Sequence, residues 1–195
     1  MAAGRFSKGQ YVQRQDLTSK IDRDHDAGHE ADGSIAFIDL EASGLFPNSW
    51  PVEVGWAVAH KNIDGAVLIR RAPGWSDDAW DPKAESLHGL SRDFIDANGE
   101  PAPAVCQKLN AALAGRQVYA DAPAWDGYWL YRLFQAGGCK PAFVLNDFGT
   151  LMRPLVGGRE AALFDAAEAR APRCHRALPD ALHLKALYEL SLEMG

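Results

Sequence analysis

The stretch Ile35-Ala36-Phe37-Ile38-Asp39-Leu40-Glu41-Ala42-Ser43-Gly44-Leu45 decides how this chain is read. It opens with four apolar residues, two of them β-branched, a run too short for an ordinary helix, which predicts a strand buried on both faces. Asp39 and Glu41 then occupy alternate positions, and in an extended backbone residues i and i+2 share a face. Two like charges at the rim of an apolar core repel each other and each loses hydration. The pair therefore calls for positive charge. A hard divalent cation such as Mg²⁺ suits it, because such ions take carboxylate oxygens and keep waters or substrate oxygens as further ligands.

Downstream of that strand, Ser43-Gly44-Leu45 and Phe46-Pro47-Asn48 supply turn chemistry, and the alternation from Val52 to Ala59 predicts a second strand. Asn62 to Gly65 turns the chain into a third, Ala66 to Arg70, which completes a meander. Residues 72 to 100 are rich in Pro, Gly, Asp and Trp and are read as short helical turns, with His88 as a surface histidine beside Gly89. A helix is predicted from Pro101 to Leu113, closed by Gly115. The strand Gln117 to Ala120 follows, and Trp125, Trp129 and Leu133 keep helical spacing up to Gly137-Gly138, which puts Asp126 in a first helical turn. After a short strand at Phe143 to Leu145 come a loop, an Ala-rich helix from about Arg159 to Ala169, and a last helix from Leu178 to Leu192. Pro179 near the start of that helix costs no hydrogen bond, so Asp180 lies in its first turn and His175 just outside it.

Upstream, residues 1 to 33 are polar, mixed in charge and without periodicity, and are read as a flexible N-terminal arm ahead of one domain, 34–195. The 195 residues are 47% hydrophobic, enough for one sizeable core. No apolar run is long enough to cross a bilayer and no secretory signal is evident, so no membrane partner and a cytoplasmic location are expected. Three cysteines without Cys-x-x-Cys spacing argue against a disulfide framework or a zinc knot and for free thiols. Twenty basic and 26 acidic residues give a net charge of −6, unlike a protein that grips long duplexes by neutralising phosphates.

Four carboxylates thus fall at strand or helix ends, Asp39, Glu41, Asp126 and Asp180, with His175 five residues before the last. A fold that gathers them makes a two-metal site, in which two divalent ions about 4 Å apart serve the attacking and leaving oxygens of an in-line displacement at phosphorus. A neutral imidazole, with an ordinary pKa near 6.5, suits the task of taking the proton of the attacking water.

In their order and spacing these residues resemble the DEDD superfamily of 3′→5′ exonucleases, in its His-containing, DnaQ-like (DEDDh) branch. The first motif is Ile38-Asp39-Leu40-Glu41-Ala42-Ser43-Gly44-Leu45, followed by Pro51-Val52-Glu53-Val54. The second is Trp125-Asp126-Gly127-Tyr128-Trp129-Leu130, and the third His175-Arg176-Ala177-Leu178-Pro179-Asp180-Ala181. His88-Gly89-Leu90 is similar to the family's His-Gly segment between the first two. The resemblance spans residues 35 to about 190. It implies an α/β, ribonuclease H-like fold with a central mixed five-stranded sheet, an antiparallel meander of three strands plus parallel ones, flanked by helices. It further implies two Mg²⁺ or Mn²⁺ ions, with Asp39 bridging both, Glu41 and Asp180 on the ion nearer the attacking water, Asp126 holding the other through water, and His175 as general base. Ser43, Gly44, Leu45 and His88 would contact the terminal nucleotide, with Ser43 and Leu45 open to the other reading that they just make the turn. The partner so implied is the 3′ end of single-stranded DNA or RNA, cut to nucleoside 5′-monophosphates.

Other readings of the same residues stand beside these. The second motif lacks an Asn or His ahead of its acid and has Asp121 five residues earlier, either a rival metal ligand or a helix cap. Asp39 and Glu41 could serve turn hydrogen bonds, and Asp126 a helix dipole. His183 is a rival base, placed along the helix rather than in a loop. Zinc on Cys174 and His175 would lack two ligands. Phe46, Trp50 and Trp80 are candidates for base stacking or for the core, whereas Trp56, Trp125 and Trp129 are assigned to the core. Glu53 has no derived role. Besides an exonuclease, a non-catalytic nucleic-acid or partner-binding module of the same fold, or a phosphodiesterase of small nucleotides, remains open.

Overall fold

A computed structural model describes residues 34–195; the arm read at residues 1 to 33 lies outside the described residues. Five strands form one sheet in the order β3-β2-β1-β4-β5. Strands β1 (Ile35–Ala42), β2 (Pro51–Val58) and β3 (Asp64–Leu68) make the antiparallel meander, while β4 (Gln117–Ala120) and β5 (Val144–Asp147) run parallel to β1 on its other side. The acid-bearing strand is therefore central, as its nearly continuous burial requires.

Strand periodicity sorts β1 between two cores. Ala36, Ile38, Leu40 and Ala42 join the cluster that holds Val105, Leu109, Leu133 and Phe134, from helices α3 (Ala102–Leu113) and α4 (Pro123–Gly137). Phe37 faces the other way, into a cluster with Phe148, Met152, Leu163, Leu184 and Leu187, from α5 (Phe148–Val156), α6 (Glu160–Arg170) and α7 (Ala177–Glu193). Asp39 and Glu41 continue the Phe37 face, so they look toward α7.

Several boundaries and environments differ from the sequence reading. Strand β3 starts and stops two residues early, because Arg70 leaves the sheet and donates its N–H to the Glu100 carbonyl. The stretch 72–100 holds two seven-residue helices, α1 (Pro82–His88) and α2 (Arg92–Asn98), capped by the side chains of Asp81 and Ser91. The loop expected after β5 is helix α5. Gly149 and Pro154 suggest a break, but the Asp147 carboxylate accepts the Gly149 N–H, Phe148 and Met152 bury one face, and Pro154 falls in the last turns. His88 is not on the surface: left-handed Gly89 ends α1 and the ring is buried against Trp80, only 4% exposed. Trp50 is fully buried between Trp75 and Trp80 and leaves the list of stacking candidates, while Trp125, assigned to the core, is 37% exposed. The thiols of Cys106, Cys139 and Cys174 are free. Among the described residues no helix is long and apolar enough to cross a membrane.

Candidate active site

Strand β1 supplies Asp39 and Glu41, and the seat of α7 decides what meets them. Across the β1–β2 ladder Asp39 pairs with Gly55 and Glu41 with Glu53. A Cβ at position 55 would lie 2.2 Å from the carbonyl carbon of Ala177, so the glycine is what lets the start of α7 rest directly on the sheet. Glu53, 4% exposed, fastens that contact: its carboxylate accepts Arg176 Nε at 2.9 Å, Arg176 Nη2 at 2.6 Å and the Ala177 N–H at 3.0 Å. One turn further on, Asp180 is delivered to the two strand acids. One oxygen from each of Asp39, Glu41 and Asp180 lies within 4.8 Å of the others.

Asp126 comes from the first turn of α4, the helix packed on the opposite face of the sheet from α7. It is 2% exposed and its Oδ2 has no hydrogen-bond partner. It stands outside the 4.8 Å group, yet it is the strongest charged neighbour acting on Asp39. Burial, reinforced by Asp126, Glu41 and Asp180, holds the Asp39 pKa well above the carboxylate range. Burial, then Asp180 and Glu53, push Glu41 up to about 7, and burial with Asp121 pushes Asp126 up to about 8.

These residues suit divalent cations. The donors are all hard oxygens, three converge at ligand spacing, and a fourth carboxylate is orphaned beside them in a place where an anion without a partner is costly. Asp121 does not cap α4, whose N-cap is Ala122. Its carboxylate takes Arg173 Nη2 at 2.5 Å instead. Asp121 is thereby engaged by a cation of the chain's own.

His175 lies exposed in the segment between α6 and α7, with a positive φ of 55°. Its neighbours are tied down, Cys174 N–H to Asp180 Oδ1 at 3.0 Å and Arg176 to Glu53. His183 is 3% exposed and its Nδ1 is paired with the Ala171 carbonyl at 2.8 Å, which leaves it holding α6 to α7 rather than facing the acids. Beside Glu41 opens a cleft of about 290 Å³ lined by Gly44, Leu45, Lys83, Leu87 and His88. Ser43 is not on its wall: the hydroxyl is buried and accepts the Trp50 N–H, bracing the turn from inside. Leu90 N–H donates to His88 Nδ1, so the ring's hydrogen sits on Nε2.

Sequence reading missed what seats these groups. Gly55 carried a signal, a glycine inside a strand, which marks close backbone approach. Arg173 carried none, since its partner is 52 positions away.

No family model matches the sequence, and no curated protein matches it. Solved structures do. The zinc-bound form of the complex of E. coli exonuclease I with single-stranded DNA is 15% identical, covers 82% of this chain and 40% of its own, and superposes with a TM-score of 0.64. The complex of the same enzyme with a 5cy-dT13 oligonucleotide gives 15% identity, 82% and 40% coverage and a TM-score of 0.62. A product-bound exonuclease I gives 13%, 82%, 43% and 0.59. The chain spans about 40% of the length of these exonuclease I chains. At such identities the likeness concerns architecture: this chain has the α/β, ribonuclease H-like fold that the exonuclease I structures carry.

Proposed function

We propose that this chain is a DnaQ-like, DEDDh-type exonuclease that removes nucleoside 5′-monophosphates from the 3′ end of single-stranded nucleic acid. One observation carries the reading: oxygens of Asp39, Glu41 and Asp180, from a strand and a helix far apart in sequence, lie within 4.8 Å of one another in the fold of an enzyme solved on single-stranded DNA. Asp39, Glu41, Asp126 and Asp180 would hold two divalent ions, Mg²⁺ or Mn²⁺. When bound, these supply positive charge against the charge that develops on the phosphate. Arg173 engages Asp121 and, more loosely at 3.8 Å, Asp180, and Arg176 engages Glu53, so the four carboxylates keep more negative charge than the chain's own cations offset.

The chain's own groups do the rest. His175 accepts the proton of the attacking water at an imidazole nitrogen, and its exposed position gives it access to solvent. The terminal nucleotide enters the cleft beside Glu41, where Gly44 gives way to the sugar and Leu45, 67% exposed, and His88 border the base. Trp125 presents one face outward while the other stacks on Trp129, with centroids 5.6 Å apart, a platform for a further base. DNA is the favoured substrate, since the similar structures are solved with DNA oligonucleotides.

A second reading, hydrolysis of small nucleotide phosphodiesters, is favoured by the net charge of −6 and by a cleft at the lower end of small-molecule site sizes. The deciding experiment offers a 3′-labelled oligonucleotide and mononucleotide diesters side by side, with Mg²⁺ or Mn²⁺ and with chelator. Label release that is abolished by chelator and by Asp39→Asn supports the exonuclease; equal release by the variant and the parent refutes it, and turnover of the diesters alone favours the second reading.

A further inference from the structure

His175 adopts a left-handed backbone conformation, uncommon for a residue with a side chain and kept only where the surroundings impose it. Three anchors surround it. Two sit on buried carboxylates close to α7: Cys174 N–H on Asp180 and the Arg176 fork on Glu53, both acids with side chains only 5% exposed. The third differs. Arg173 Nη2 reaches out of the segment to Asp121 at the end of β4, at 2.5 Å, and its Nε stays 3.8 Å from Asp180 Oδ2. This pair is 40% and 30% exposed, and it is the anchor that joins the His175 segment to the parallel half of the sheet.

We infer that Arg173 is a positioning residue for His175, holding the 171–176 segment in place through Asp121. The first two anchors fix only the C-terminal side of the segment, from Cys174 onward, to the body of the protein. At its N-terminal end the segment is tied at Ala171, whose carbonyl pairs with His183 Nδ1 at 2.8 Å, so without the third anchor the stretch between Ala171 and Cys174 is held by the Arg173 backbone N–H on exposed Glu168 at 3.4 Å, a weak contact. Solvent screens the Arg173–Asp121 pair, so it can open and close at low cost. Asp121 accordingly serves the segment, and the metal role open to it in the sequence passes to the deeper acids. The inference rests on the exonuclease reading for the task of His175, but not for the latch itself, and the test separates the two.

Hydrogen exchange of residues 171–176 is measured on the full, metal-free chain, for the parent, Arg173→Ala, Arg173→Lys and Asp121→Asn. Loss of an exposed pair predicts exchange faster by about two- to fivefold in Arg173→Ala and Asp121→Asn. Arg173→Lys keeps the charge without the guanidinium fork and falls between. On a 3′-labelled oligonucleotide, kcat drops by about tenfold in Arg173→Ala through misplacement of the base, with KM and Mn²⁺ affinity held within about twofold. Unchanged exchange in Arg173→Ala overturns the latch. A loss confined to KM, steeper at high salt, also overturns it and makes Arg173 a contact to substrate phosphate. A parent chain without activity removes the exonuclease reading, and the exchange result still decides the latch.

Discussion

Gly55→Ala is the smallest change that reaches the site without touching any of its acids. The added Cβ would stand 2.2 Å from Ala177 C, 2.3 Å from Leu178 N and 2.4 Å from Ala177 O, all backbone atoms that no rotamer can move aside. Ordinary contact begins at 3.4 Å, so the start of α7 must lift by about 1 Å from an interior packed as tightly as a crystal. Overpacking of this kind costs about 1–3 kcal/mol, and for a domain of this size each kcal/mol lowers Tm by about 2–4 °C. The same lift carries Asp180 away from Asp39 and Glu41 and strains the Glu53–Arg176 fork. Positioning errors near 1 Å at a reacting centre cost up to about 100-fold in rate. Calorimetric titration with Mn²⁺ and hydrolysis of a 3′-labelled oligonucleotide therefore show weaker ion binding and a loss of rate larger than the drop in Tm explains. A Gly55→Ala protein with the parent's Tm, Mn²⁺ affinity and rate would show that the helix is not seated by this glycine.

Other perturbations read the remaining supports. In Glu53→Gln the buried carboxylate that receives three donors loses its charge, costing about 1.5–3 kcal/mol; because Glu53 also raises the Glu41 pKa, the pH midpoint of Mn²⁺ binding moves to lower pH while Tm falls, and opposite signs in a binding and melting series check it. Metal-free protein loses stability as pH rises from about 4 to about 8, since Asp39, Glu41 and Asp126 keep protons in the folded state that the unfolded chain has released. Glu41 alone, moving from its ordinary 4.5 to about 7, accounts for about 3 kcal/mol of that slope; calorimetry with chelator shows it, and saturating Mn²⁺ flattens or inverts it. Trp125→Ala, in an Asp39→Asn background that the proposed function expects to be inactive, weakens binding of dT oligomers by about 1–3 kcal/mol in a fluorescence titration, and Trp125→Phe restores most of the affinity.

The parts of this molecule that can be read from its sequence are those set by local periodicity. β1 announces itself because its apolar run and its alternate acids obey a period of two, and the same rule puts Asp39 and Glu41 on one face with Phe37. Helices α4 and α7 follow from apolar spacing and from Pro near their starts. Where reading fails, a contact distant in sequence has overridden a local signal. Gly149 and Pro154 look like breakers, yet a side-chain cap and two buried residues keep α5 helical. His88 beside a glycine looks like surface, and nothing local tells that Trp80 will fold over it. Trp125 keeps helical spacing with Trp129, but it belongs to the first turn of α4, where the helix reaches past its core partners.

The bland account of the strand acids makes them turn acceptors at the end of β1. Among the described residues neither the Asp39 nor the Glu41 side chain makes a hydrogen bond, and the turn that follows is closed by Ser43 instead, through Trp50 and Asp81. Two carboxylates sunk in an apolar rim with nothing donating to them are a liability to folding. The protein nevertheless brings Asp180 to them on a helix that needs a glycine beneath it and a buried Glu–Arg fork beside it, and leaves Asp126 Oδ2 without a partner close by. The basic residues at hand are largely committed elsewhere, Arg176 to Glu53 and Arg173 to Asp121, with only the Arg173 Nε left 3.8 Å from Asp180 Oδ2. Evolution could have relieved this repulsion with one well-placed lysine. The fold instead concentrates the charge and sets only the Arg173 guanidinium against it from the margin, which is the arrangement the proposed cation site would require.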